Sequence, residues 1–291
     1  MNTAIVYKRI PAVLMSIIFL SLSTLSAHAA SGREDPSSLV PEKFKNRPIV
    51  AVAGEDSAPV YFRDADGKLV GMGIDITNAI AKKLGIQLSI KTAAFDAVIP
   101  GIQSGKYDIG IWAAGVTEER KKIINIVPYY SSKYVFVEYR TDKKPTIKNN
   151  QGLCGRTVAV LAQSSASPAI DAVSEECVKA GRDKIVQRVF PSIGDTLVAT
   201  MSGRTDCVVY NILNASWLNN TKPNYVFGDA EVDPHLAGYI FPKTSPQLAR
   251  AWSAALQELI SSGTYTKILD KYNSGRSAID HASVVPPLSN P

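Results

Sequence analysis

From Ile49 onward, the apolar positions switch repeatedly between continuous short runs and helical spacing. Residues 49–53 are an unbroken apolar run, as in a buried strand, and Ile76, Ile80 and Leu84 then recur at helical spacing up to Gly85, a natural C-terminal cap. A second strand is predicted over 88–91. The stretch 95–104 puts Val98, Ile99 and Ile102 on one helical face before Gly105, and 109–113 is a strand again. Strand, helix, strand, helix, strand implies a parallel sheet covered by helices.

The pattern restarts after the run 134–139. Strand 158–161 leads through a Ser-rich loop into a helix carrying Ile170, Val173 and Cys177, then strand 185–189, helix 193–201 and strand 207–210. Gly238 to Phe241 returns as a strand, and Ser245-Pro246 opens a helix carrying Leu248, Trp252, Leu256 and Ile260 that stops at Gly263. Two sheets in series predict two α/β lobes. Ligands of open α/β sheets bind beyond the carboxyl ends of strands, which directs attention to the loops after Ala53, Lys91, Ala113, Leu161 and Tyr210. The segments 30–47 and 274–291 show no periodicity and are expected to be flexible.

The N-terminus changes the compartment. Lys8 and Arg9 precede an apolar run ending in Ala27-His28-Ala29, the pattern of a signal peptide (1–29) cleaved near Ala29, with the mature protein in the periplasm. Removing those two cations takes the formal charge from +6 to +4, a mild excess with no basic block, so nucleic acid is not an expected partner. Export permits a disulfide. Of three cysteines, Cys207 lies in an apolar strand, so the expected pair is Cys154 with Cys177. His235 and His281 are isolated, and neither a metal nor a cofactor is expected.

The richest segment for chemistry is Trp112-Ala113-Ala114-Gly115-Val116-Thr117-Glu118-Glu119-Arg120. Thr117 as an N-cap puts Arg120 in the first helical turn, where the macrodipole disfavours a cation. Either an anion in the cleft accounts for it, held by the guanidinium and backbone N–H groups, or Arg120 is a solvated partner of Glu118 or Glu119.

The runs Asp66-Gly67-Lys68-Leu69-Val70-Gly71, Ile99-Pro100-Gly101-Ile102-Gln103-Ser104-Gly105, Thr117-Glu118-Glu119-Arg120, Pro128-Tyr129-Tyr130, Gly203-Arg204-Thr205-Asp206 and Lys267-Ile268-Leu269-Asp270-Lys271-Tyr272 occur in the order and spacing of a known family. Together they resemble the polar-amino-acid class of periplasmic solute-binding proteins (family 3) that serve ABC importers, from about Pro48 to Tyr272. The resemblance implies a two-lobed Venus flytrap fold, each lobe a mainly parallel sheet flanked by helices, with the ligand cleft between them. Lobe 1 would comprise 48–137 and 234–273, and lobe 2 would comprise 138–233. It further implies a monomer that passes a small carboxylate ligand to a membrane permease.

By position in that family, Arg120 grips the ligand carboxylate, with backbone donors at Gly115 and Ser165; Ser164 and Ser165 stand where two threonines are usual, and Gln163 replaces a glycine. Gly115 and Asn211 fall where a hydroxyl and an aspartate usually meet an α-ammonium, so that half of the site is altered unless Glu55 or Asp56 supplies the charge. Phe95 and Trp112, beside Ala113, would form aromatic walls, left open at Ser57 where a tyrosine is common. Asp75, Asp108, Asp206 and Trp252 are expected to be structural. No catalytic residue and no enzymatic activity are expected. The alternatives are a dehydratase-like cleft enzyme of the same fold and a sensor lobe.

Overall fold

The computed structural model describes residues 35–288; the signal peptide expected over 1–29 lies outside them. Strand β1 (Ile49–Ala53) lies parallel between β5 (Leu88–Thr92) and β6 (Ile109–Gly115), with helix α1 (Met72–Leu84) and helix α2 (Phe95–Gln103) as the crossovers. The apolar spacing of α1 works as expected: Ile76, Ile80 and Leu84 are buried and Gly85 caps the helix in the left-handed region. Three short strands, β2 (Asp56–Ser57), β3 (Tyr61–Arg63) and β4 (Leu69–Val70), form a small separate sheet after β1.

The second βαβ series is β8 (Thr157–Leu161), α4 (Ala166–Lys179), β9 (Val186–Phe190), α5 (Ile193–Met201) and β10 (Cys207–Asn211), again with parallel pairing. Two strands longer than the sequence pattern suggests connect the halves. After the short helix α3 (Glu118–Ile123), β7 (Ile124–Tyr139) runs antiparallel to β11 (Tyr225–Pro242), which follows helix α6 (Ile212–Thr221). β11 also pairs with β6, and β7 with β10, both antiparallel. The two expected sheets are therefore one eight-stranded sheet, in the order β5-β1-β6-β11-β7-β10-β8-β9, whose only antiparallel pairings are those made by these two strands. The ladder between them shifts register between Phe227 and Glu231 and between Val232 and His235, where the chain passes from one half to the other.

The buried side chains divide in the same way. One cluster joins Ile49, Ile76, Val98, Ile109 and Tyr239 with Trp252 of α7 (Pro246–Ser261) and Tyr265 of α8 (Thr264–Lys271). Two further clusters sandwich the second half, one around Val158, Ile170 and Cys207, the other around Ala159, Val208 and Leu218. Val135, Phe136 and Val137 pack in these second-half clusters, so the crossover on β7 precedes the expected boundary at 137 by several residues.

Both segments expected to be flexible are packed where they are described. Residues 35–47 form two 3-10 turns that bury Val40 and Phe44 in the first core. Beyond Ser274, Val285 exchanges two backbone hydrogen bonds of 2.8 Å with Ile126, and Ala282 donates its N–H to Gln257 Oε1 at 2.9 Å. Single apolar residues without a period anchor these segments, so periodicity misses them. Asp108 accepts from the Val50 N–H and Asp206 from the Thr157 N–H, each tying its own strand to the parallel neighbour. Asp75 accepts from Lys271 and Tyr272, which links α1 to the end of α8.

Candidate functional site

Arg120 sits where the two halves meet. Thr117 Oγ1 accepts from the Arg120 N–H at 3.2 Å, the expected N-cap, but α3 has only six residues, so its first and last turns overlap. The macrodipole therefore says little about Arg120. Its burial says more: the residue is 9% exposed, and desolvation lowers its pKa from the ordinary arginine value. One guanidinium nitrogen donates to the Gly115 carbonyl at 2.9 Å and another to the Gln163 carbonyl, also at 2.9 Å, from the other half. The Phe95 ring lies 5.4 Å from its Cζ. Glu118 pairs with Lys121 instead, and among the described residues no carboxylate comes within 4 Å of the guanidinium. A buried cation held by neutral carbonyls retains its demand for an anion.

Gly115 stands at the end of β6. Val116 donates to the Leu236 carbonyl, so by antiparallel alternation the N–H and C=O of Gly115, opposite Ala237, point away from β11. The carbonyl meets Arg120 and the N–H faces the same side, as an anion donor requires. A Cβ on Gly115 would come within 2.8 Å of Ser165 Oγ, so the residue is a matter of space. Gln163 has φ +62°, which favours glycine and is tolerated here by an exposed side chain. It meets Arg120 through its backbone carbonyl, and its side chain does not line the central cavity. Ser164 Oγ accepts from the Ala166 N–H at the start of α4, and Ser165 Oγ is 3.0 Å from the Tyr134 hydroxyl.

These groups surround a cavity of about 70 Å³ between the halves. Of the expected site residues, Ser57, Phe95, Trp112, Ala113, Gly115, Arg120, Ser164, Ser165 and Asn211 line it. Glu55, Asp56 and Gln163 do not. Glu55 is paired with Arg63 at 2.6 Å, outside the cavity. Asp56 borders, together with Glu55, an adjoining cavity of about 290 Å³ that shares Phe95 and Trp112 with the first. Asp56 keeps an exposed surface, but the nearby walls of that cavity desolvate its carboxylate and raise its pKa, with the Glu55 charge adding to the effect. Trp112 is fixed by its indole N–H to the Ala93 carbonyl at 3.1 Å, and its ring packs on Phe95 at 5.2 Å and Tyr61 at 4.8 Å. The wall expected to be open at Ser57 is thus filled by Tyr61 from β3, and Ser57 instead receives a hydrogen bond from Asn214 at 3.1 Å.

Sequence reasoning missed Tyr61, Tyr130, Tyr134, Tyr210 and Asn214. Tyr130 and Tyr134 lie an even number of residues apart on β7 and so share a face, a signal available once that strand is recognised. A larger cavity of about 890 Å³ lies behind the crossover strands, lined by Trp217, Tyr272 and Arg276 among others, but Arg120 is not part of it.

The chain belongs to the bacterial extracellular solute-binding proteins, family 3, whose pattern matches residues 49–275. Among characterised relatives, the arginine-binding protein ArgT of Corynebacterium glutamicum is 26% identical over 253 residues, 84% of this chain and 81% of its own length. Among solved structures, an ancestral arginine-binding protein bound to arginine is 30% identical with a TM-score of 0.69, covering 78% of this chain and 99% of that one. The ancestral amino-acid-binding protein AncCDT-1, a precursor of cyclohexadienyl dehydratase, is 27% identical with a TM-score of 0.65, covering 77% and 95%. The fold is the two-lobed α/β architecture of these binding proteins, with the cleft between lobes.

Proposed function

We propose that this protein is the periplasmic binding component of an ABC importer. A small polar ligand bearing a carboxylate (an amino acid, an amino-acid derivative or a related organic acid) is held between the lobes and delivered by the monomeric protein to a membrane permease. The observation that carries this is Arg120: buried, built into the interface between lobes, and without a carboxylate partner among the described residues. Its two carbonyl bonds fix the guanidinium plane and leave further N–H donors for an anion. Closure of the lobes around the ligand is the hinge motion such a fold permits.

Binding is favoured over catalysis by the chemistry of the cavity wall. A dehydratase would need a placed general acid or base, and the described lining residues of the central cavity include no aspartate, glutamate or histidine. The structural likeness to the dehydratase precursor keeps a cleft enzyme as the second reading.

A thermal-shift screen of amino acids, their derivatives and small organic acids should find compounds that raise the Tm. With such a compound, Arg120→Ala should weaken binding by about 2–5 kcal/mol in calorimetry while leaving a cooperative melt. Unchanged affinity would remove Arg120 from the site and this function with it.

A further inference from the structure

The charges around the central cavity restrict what can stand beside the carboxylate. Arg120 is the one ordinarily ionised side chain among its described lining residues. Burial raises the pKa of Tyr61, Tyr130 and Tyr210, so these phenols remain neutral. A zwitterion placed here would bury an ammonium with no carboxylate among the described lining residues; Asp56, whose charge reaches Tyr61 and Tyr210, borders the adjoining cavity instead, and an ammonium without a direct anionic partner is unfavourable.

Asn211 gives the restriction a direction. Its Oδ1 accepts from the Leu213 N–H at 3.0 Å as the N-cap of α6. A backbone N–H can only donate, so the cap fixes which end of the amide is which. The NH₂ group is the end turned to Tyr130, whose hydroxyl lies 3.4 Å from Nδ2. An ammonium offers donors and no acceptor, and so does an amide NH₂. A ligand oxygen at this place would instead accept.

Resting on the solute-binding reading above, we propose that the central cavity selects carboxylic acids whose carbon next to the carboxylate carries a neutral oxygen acceptor, as a 2-oxo, 2-hydroxy or N-acyl group, in place of an ammonium. The carboxylate lies on Arg120 and the acceptor on Asn211 Nδ2. Any cationic group of the ligand then belongs further out, in the adjoining cavity that Asp56 borders.

The test compares compounds that differ only at that carbon, using protein purified from the periplasm and freed of bound solute by unfolding and refolding. The sets are L-alanine with pyruvate, L-lactate and N-acetyl-L-alanine; L-glutamate with 2-oxoglutarate and N-acetyl-L-glutamate; and L-arginine with its 2-oxo acid and Nα-acetyl-L-arginine. In at least one set a neutral member should raise the Tm and bind at least tenfold more tightly than the amino acid. An amino acid that matches or exceeds its neutral counterparts overturns the inference while leaving solute binding intact, as it would if the phenol rings hold the ammonium. No response from any set overturns the inference alone, and a broad screen of amino acids, derivatives and organic acids without a hit overturns solute binding as well. Asn211→Asp keeps an oxygen to cap α6 and replaces the donor by an acceptor. It should reverse the preference, weakening the neutral member and strengthening its amino acid by at least tenfold each, whereas equal loss for both would make Asn211 a helix cap and nothing more.

Discussion

At the residue scale, the cleft shows how burial sets the role of a charge. Arg120 and Asp56 both lack an ion-pair partner within 4 Å among the described residues, yet they differ in what surrounds them. Arg120 is fixed by two carbonyls, whereas Asp56 stands at the edge of a cavity beside the like charge of Glu55. Because the folded-state pKa of Asp56 is raised, its ionisation opposes folding: the penalty is complete above the folded value and absent below the unfolded one. Asp56→Asn should therefore raise the Tm of the ligand-free protein near neutral pH by a small amount, since the exposed carboxylate is screened by solvent, and the gain should fade as pH falls through the raised range. Melts across that range check it; a gain independent of pH would remove Asp56 ionisation as its cause. The family resemblance grouped Arg120, Gly115 and Ser165, and all three line the central cavity, but it could not separate Glu55 from Asp56. That distinction depends on Arg63, which claims Glu55 from another strand of the small sheet.

At the scale of elements, what was legible was whatever repeats. The α1 and α5 helices and the parallel strands carry their apolar residues at regular spacing; α1 stops at Gly85 as expected, and the bounds of α5 and of the parallel strands fall within a residue or two of expectation. Helix α6 was missed because its buried face includes Asn214 beside Leu213, Ala215 and Leu218, with Asn219 and Asn220 completing its last turn. Only its far contacts, the Asn214 amide on Ser57 Oγ and on the Ala58 carbonyl, explain a buried polar residue there. The cysteines fared better: Cys154 and Cys177 form a disulfide between the end of a 3-10 turn and α4, and Cys207 is a buried free thiol whose pKa desolvation raises. The bridge encloses a sequence separation of 23 residues, so its loss should destabilise the second lobe by about 3 kcal/mol. Peptide mapping without reduction should recover the 154–177 pair, and Cys154→Ser/Cys177→Ser should melt lower. A bridge containing Cys207 would contradict the structure.

For the whole molecule, one continuous sheet with divided cores explains how two lobes can move as units. β7 and β11 cross between them, and their register shifts leave the ladder incomplete at the crossing, the place where backbone rotation disturbs the fewest hydrogen bonds. Polar bonds between the lobes include the Arg120 bond to Gln163, the Asn211 amide on the Tyr130 hydroxyl, and the Asn214 amide, which donates 2.7 Å to the Ala58 carbonyl and 3.1 Å to Ser57 Oγ, while Leu213 of α6 packs into the first core. In the proposed function Arg120 meets the ligand carboxylate; Asn214 lines the same cavity, but its side-chain amide is bonded to protein atoms of the other lobe, so its effect on closure can be read in the ligand-free protein. Opening returns its amide and both acceptors to water, and Asn214→Ala removes the clasp only from the closed form. The loss, about 1–3 kcal/mol, should shift the equilibrium toward open molecules and weaken apparent affinity about tenfold or more, in proportion to the lost closed fraction. Small-angle scattering should show a larger ligand-free radius of gyration for Asn214→Ala than for wild type, and the two should converge at saturating ligand. Equal ligand-free radii with unchanged affinity would mean that the clasp does not govern closure, leaving Arg120 and its ligand as what holds the lobes together.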